Sequence, residues 1–160
     1  MPTFGLKWPQ MVSDKELKWL QCAEFLASQL STCSKRQYCA IILMPNGRVV
    51  SIGYNGSPPN MPHCIDGFCP RLVENSPNGS NYDNCIAQHA EANALIWSDV
   101  SLRMGATLIV NGPPCFTCAK SIASSGITKV VCFADSSYAQ WSQVEQFLLQ
   151  AKVQVDIVER

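Results

Sequence analysis

No apolar run in these 160 residues approaches the ~18 that a membrane-crossing helix requires. The first twelve residues, broken by Pro2, Gly5, Lys7 and Pro9, hold no apolar core of a secretory leader. Net charge is absent as well: 12 basic residues balance 12 acidic ones, with no basic stripe, so binding to a nucleic-acid backbone has little electrostatic support. There is no internal repeat of the kind a solenoid needs, and no low-complexity tract. Histidine is scarce, with two in the chain. Cysteine, by contrast, is plentiful at 9. With no leader, the expectation is a reduced, cytoplasmic setting, where clustered cysteines are metal ligands or small core residues more often than bridges. An odd number would also leave one thiol over in any fully bridged scheme.

The length predicts one domain, 1–160, with an N-terminal arm over 1–12 carrying Phe4, Trp8 and Met11. Leu17, Leu20, Ala23, Ala27 and Leu30 follow helical spacing behind a Ser13 cap, predicting a helix over 14–31. Cys39–Met44 and Arg48–Gly53, joined at Pro45-Asn46-Gly47, read as a hairpin. Residues 54–84 turn to Pro, Gly, Asn, Ser and Cys, predicting a long irregular loop. Beyond it, helices near 88–99, 115–126 and 140–150 alternate with strands at 106–110, 129–133 and 153–157. That order predicts an α/β, three-layer α-β-α sandwich around a central mixed sheet of about five strands.

The chemistry concentrates in two short motifs. His89-Ala90-Glu91 and Pro113-Pro114-Cys115-Phe116-Thr117-Cys118 form the H-x-E plus P-C-x-x-C pattern of zinc deaminases. Two cysteines three apart at a helix start share a face and sit where the helix dipole favours thiolate. With His89 they make three zinc ligands, leaving the fourth position open, as catalysis requires. Glu91, off the metal, is the candidate proton carrier. A lone C-x-x-C would equally suit a structural zinc knuckle or a redox pair, but neither gives His89 and Glu91 a role.

The sequence resembles the deoxycytidylate (dCMP) deaminase family over about residues 30 to 133. The resemblance is carried by Gly53-Tyr54-Asn55-Gly56-Ser57-Pro58, His89–Leu95 and Pro114–Lys120, with support from Cys33–Gln37 and Ser124–Ile127. It implies a cytidine-deaminase-like fold and hydrolysis of dCMP to dUMP and ammonia. It also implies a homo-oligomer, often a hexamer, activated by dCTP and inhibited by dTTP, each bound with Mg²⁺. On this resemblance Asn55 would bond the substrate sugar, and the carbonyls of Ala90 and Pro114 and the N–H of Cys115 would meet the pyrimidine. Gly53, Tyr54 and Gly56 would border the effector pocket. The chain departs from the family at Tyr38-Cys39-Ala40, commonly Val-Gly-Ala, and at Phe116, commonly Pro or a small polar residue; Phe116 could line the substrate mouth or pack at the helix start.

Other readings stay open on sequence alone. The same chemistry could act on dCTP, deoxycytidine or a nucleic-acid base, or the chain could be a non-catalytic zinc- or nucleotide-binding module. Lys35, Arg36, Arg71 and Lys120 are candidates for the substrate phosphate, each equally readable as a surface charge. His63, Cys64, Cys69 and Cys85 could hold a second, structural zinc, as some family members do, or could be free thiols beside an exposed histidine. Cys22, Cys39 and Cys132 fall on apolar faces and are expected in the core; Trp97, eight residues after His89 and about two turns on, is expected there or near the substrate ring.

Overall fold

The computed structural model describes residues 12–77, 80 and 82–160, with the side chain of Tyr82 excepted. The N-terminal arm therefore lies, but for Val12, outside the described residues. Helix α1 (Asp14–Leu30) starts at the expected cap: the Ser13 hydroxyl accepts from the Glu16 N–H, and the Glu16 carboxylate accepts from the Ser13 N–H at 2.8 Å. Its Leu20, Ala23 and Ala27 are buried, while Leu30 turns to solvent. The hairpin strands are β1 (Cys39–Leu43) and β2 (Val49–Tyr54). Their turn needs Gly47, whose φ of 81° lies in the left-handed region.

The long segment after β2 is less bare than its composition suggests. It holds a single-turn helix α2 (Pro70–Val73) and two short 3₁₀ turns, Cys64–Asp66 and Tyr82–Asn84. Next come α3 (Ala90–Ile96), a short α4 (Val100–Arg103), β3 (Thr107–Val110), α5 (Phe116–Ala123), β4 (Lys129–Phe133), α6 (Trp141–Gln150) and β5 (Gln154–Val158). The helix expected over 88–99 is thus shorter, Ala90–Ile96, and a separate one-turn helix follows it at Val100–Arg103. Asp99 caps α4 separately by accepting from the Ser101 N–H. Because α3 ends at Ile96, Trp97 falls on its C-cap and is 73% exposed, which overturns its expected place in the core.

The five strands form one mixed sheet in the order β2-β1-β3-β4-β5. β1 pairs antiparallel with both β2 and β3, whereas β3, β4 and β5 run parallel. Every residue of β1 is buried, as expected of a strand covered on both faces. On one face Ile41, Leu43, Ile109 and Val131 pack on α1; on the other Ala40, Ile42, Leu108, Val110 and Val130 pack under α3, α5 and α6. These are the three layers expected. Cys39 and Cys132 are in the core, but Cys22 is exposed on α1, contrary to expectation.

The sheet positions the site through close helix packing. A Cβ on Gly53 would overlap the backbone nitrogen of Ala94 and the carbonyl oxygen of Ala90, so β2 lets α3 lie directly against it. The Ser51 hydroxyl donates to the Ala94 carbonyl at 2.7 Å and Asn93 Nδ2 donates to the Tyr54 carbonyl at 2.8 Å. These bonds hold α3 against β2.

Candidate metal and catalytic centre

His89 is the N-cap of α3 and Cys115 the N-cap of α5, so both motifs open helices in which Glu91 and Cys118 occupy the first turn. The Cys115 sulfur accepts from the Cys118 N–H at 3.5 Å, serving as the cap itself. Nδ1 of His89 lies 3.5 Å from Sγ of Cys115 and 3.4 Å from Sγ of Cys118. The three ligand atoms lie within 4.8 Å of one another, and among the described residues no other group of three or more such ligands does.

These spacings can be tested against a metal. Zn–S bonds of about 2.3 Å and Zn–N bonds of about 2.05 Å at a tetrahedral angle separate sulfur from nitrogen by roughly 3.6 Å. The observed edges match, so the residues fit zinc bound through Nδ1.

The electrostatics agree. A hydrogen bond from the Cys118 thiol, then those from His89 and from the Cys118 N–H, hold Cys115 well below the ordinary thiol range despite burial. The same bond, seen from its donor, raises Cys118, and burial adds to this. The Cys115 bond raises His89, against burial. Glu91 is 6% exposed, and burial raises its carboxyl above the usual carboxylate value. A carboxyl so placed, beside the ligand triangle, is within reach of the groups between which a general acid and base must move protons.

Around this centre the remaining expectations land unevenly. Pro114 and Ala90 are buried beside the ligands. The Ala90 carbonyl oxygen lies close against Gly53. Asn55 is buried at the end of β2, its amide bonded to the Arg36 carbonyl and the Tyr38 N–H. Gly56 pairs with Gln88 in an isolated bridge, which ties this turn to the residue before His89. A Cβ on Gly56 would overlap the Thr32 hydroxyl, so packing accounts for this glycine as it does for Gly53. Tyr54 is part-exposed on the edge strand.

Phe116 packs on Phe147 of α6, ring centroids 5.0 Å apart. The phosphate candidates are each engaged: Lys35 Nζ donates to the Ser76 carbonyl, Arg36 pairs with Asp135 at 3.1 Å, Arg71 is buried with Nε on the Ser80 carbonyl, and Lys120 Nζ lies 5.9 Å from the Phe116 ring centroid.

In the long segment Cys64 and Cys69 are buried and Cys85 half-buried, while His63 stays exposed. Burial, then the thiols of Cys69, Cys33 and Cys85, push Cys64 up to about 11. Cys33, which sequence spacing did not connect with this segment, is thus among them. Asn111 was also missed. It holds the end of β3 as Asn55 holds the end of β2, and the signal available was an asparagine directly after each strand.

Residues 13–134 match the family described as the cytidine and deoxycytidylate deaminase zinc-binding region. A deoxycytidylate deaminase of Mycobacterium phage D29 is 40% identical over 110 residues, covering 66% of this chain and 84% of that one. One from Schizosaccharomyces pombe is 37% identical over 132 residues, covering 81% of this chain; the chain spans only 40% of that longer protein, and 33% of its Saccharomyces cerevisiae counterpart. Among solved structures, the dCMP deaminase of cyanophage S-TIM5 in complex with dCMP and dUMP has a TM-score of 0.66 at 25% identity, covering 92% of this chain and 99% of that one. Its apo form gives 0.67 at 26% identity. By its ligand triangle, its sheet and these relatives, the chain belongs to the cytidine and deoxycytidylate deaminase family.

Proposed function

We propose that this protein hydrolyses dCMP to dUMP and ammonia. The observation that carries the reading is the His89–Cys115–Cys118 triangle with the buried Glu91 carboxyl beside it. The relatives named deoxycytidylate deaminase and the cyanophage complex support the nucleotide.

His89, Cys115 and Cys118 would hold zinc, which when bound supplies the Lewis acidity that activates water toward C4 of cytosine. Glu91 takes a proton from the attacking water and returns protons to the ring nitrogen and the departing amine. Asn55, the Ala90 and Pro114 carbonyls and the Cys115 N–H orient the nucleoside. Water adds, ammonia leaves, and the C4 amine becomes a carbonyl.

Ammonia release measured in parallel on dCMP, dCTP, deoxycytidine and a cytosine-containing oligonucleotide tests this reading. Turnover on dCMP is expected; turnover confined to the oligonucleotide would overturn it.

The finer parts of the proposal are separate. A second, structural zinc at Cys64, Cys69 and Cys85 is supported by the thiols that bear on Cys64, with Cys33 a better fourth partner than the exposed His63; these sulfurs would have to draw together, since among the described residues they form no set of three within 4.8 Å of one another. Metal counting tests it: near two zinc per chain is expected, and one rules it out. Activation by dCTP and inhibition by dTTP with Mg²⁺ and homo-oligomeric assembly rest on the family, and a cytoplasmic setting rests on the cysteines being read as reduced thiols. Among the described residues, no helix is long and apolar enough to cross a membrane.

A further inference from the structure

Two asparagines, at the ends of β2 and β3, make the same three bonds to the chain entering β1. Asn55 donates its backbone N–H to the Tyr38 carbonyl at 3.1 Å, accepts from the Tyr38 N–H on Oδ1 at 2.8 Å, and donates from Nδ2 to the Arg36 carbonyl at 2.8 Å. Asn111 repeats the set one residue further on. Its N–H reaches the Cys39 carbonyl at 3.4 Å, its Oδ1 accepts from the Cys39 N–H at 2.8 Å, and its Nδ2 donates to the Gln37 carbonyl at 3.1 Å.

The offset of one residue has a geometric cause. Successive residues of a strand present their N–H and C=O groups to opposite neighbours, and β1 lies between β2 and β3. Each side-chain amide therefore carries its ladder past the point where backbone pairing would stop. Both asparagines are nearly removed from solvent, at 7% and 5% exposure, where such bonds are costly to lose.

The residues immediately C-terminal to each asparagine tie the brace to the site. After Asn55 comes Gly56, bonded twice to Gln88, the neighbour of His89. After Asn111 the chain runs through Gly112, Pro113 and Pro114 to Cys115, with the Tyr38 ring packed so closely on Gly112 that a side chain there would collide with it. Arg160 donates to the Asn111 carbonyl at 3.1 Å, fixing the same corner from another side.

We propose that Asn55 and Asn111 are paired positioning residues. By gripping residues 36–39 from both sides they fix, relative to one another, the loop that reaches His89 and the loop that delivers Pro114 and Cys115. The pairing also limits what Asn55 can do for substrate. Its Oδ1 already accepts from Tyr38 N–H and, at 2.5 Å, from the Ser31 hydroxyl, and Nδ2 spends one N–H on Arg36. By the amide's inventory of donors and acceptors, Asn55 has one N–H left to offer a ligand and no acceptor. The inference deepens the proposed reaction and depends on it only for its kinetic readout.

The test uses the zinc-loaded full chain with Asn55→Ser, Asn111→Ser and the double variant, and Val144→Ala, a core change on α6, as the stability-matched control. For Asn111→Ser the expectation is zinc content as in the wild type and kcat/KM for dCMP lowered roughly 10- to 100-fold, the scale of a misplaced catalytic geometry. Amide exchange should rise in residues 36–39 and also across the brace in 55–57. The double variant should lose less than the product of the single losses, because both amides act through one segment. Unchanged exchange at 55–57, or a kcat/KM no lower than that of Val144→Ala, would overturn the pairing. Should Asn111→Ser fail to fold, Asn111→Asp, which keeps the acceptor for the Cys39 N–H and loses the donor to Gln37, answers the same question. If the wild type does not turn over dCMP, the proposed reaction falls, and the exchange measurement still decides the brace.

Discussion

The Sγ atom of Cys118 stands 3.4 Å from Nδ1 of His89 across 29 positions of sequence. Two helices start at one point because α3 lies on β2 without an intervening side chain at Gly53 and α5 follows directly from β3. The proposed roles of the metal triangle and of Glu91 are separable by substitution.

Cys118→Ser is expected to lose zinc together with activity. Glu91→Gln should keep zinc and fold but lower kcat by about 10²- to 10⁴-fold, the usual worth of a general acid and base. Zinc content and dCMP turnover on the same preparations check both. Undiminished turnover in Glu91→Gln would remove Glu91 from the mechanism.

Gly53→Ala should destabilise the protein by about 1–3 kcal/mol or more, the cost of overpacking, because the added methyl meets the α3 backbone and no flexible side chain. Thermal melts measure the loss. A variant as stable as the wild type would mean that α3 can move away from β2 at little cost.

Lys129 of β4 bonds Glu16 of α1 at 2.7 Å and Asp156 of β5 at 2.9 Å, with Asp156 only 1% exposed. Lys129→Met leaves that carboxylate buried without its cation, and a loss of about 3–5 kcal/mol is expected. Adding Asp156→Asn should recover part of it. Burial works to raise Glu16, but the bonds from Lys129 and Ser13 outweigh it and hold Glu16 below the usual carboxylate value. A depressed native pKa contributes stability that is complete above the unfolded value of about 4.3 and is lost as pH falls through the native one. Acid titration of stability should therefore be shallower below about pH 4 in Lys129→Met than in the wild type.

Burial pushes the thiols of Cys39 and Cys132 up to about 12, while Cys22 is exposed. At about pH 8, close to the ordinary thiol pKa, a thiol reagent should modify Cys22 on mixing and reach Cys39 and Cys132 only in denaturant. Mass mapping of the labelled peptides decides this; fast labelling of Cys132 would show that β4 opens.

The candidate metal triangle of His89, Cys115 and Cys118, with Glu91, was legible in the sequence because its chemistry is carried by residue type and short spacing: His-x-Glu and Cys-x-x-Cys each open a helix, and a local motif survives any global arrangement. The layers were legible for a related reason, since burial on one or both faces leaves a periodic trace, as β1 and α1 show. Trp97 and Cys22 were misplaced because periodicity does not say where a helix stops or which of its faces meets the sheet. Only the tertiary structure could decide the brace of Asn55 and Asn111, or bring Cys33 to Cys64. These contacts join segments far apart in sequence, through side-chain amides and thiols whose partners are set by strand order and loop path. The chain itself determined which atoms can bind zinc and carry a proton; the fold decided how firmly the loops bearing them are held together.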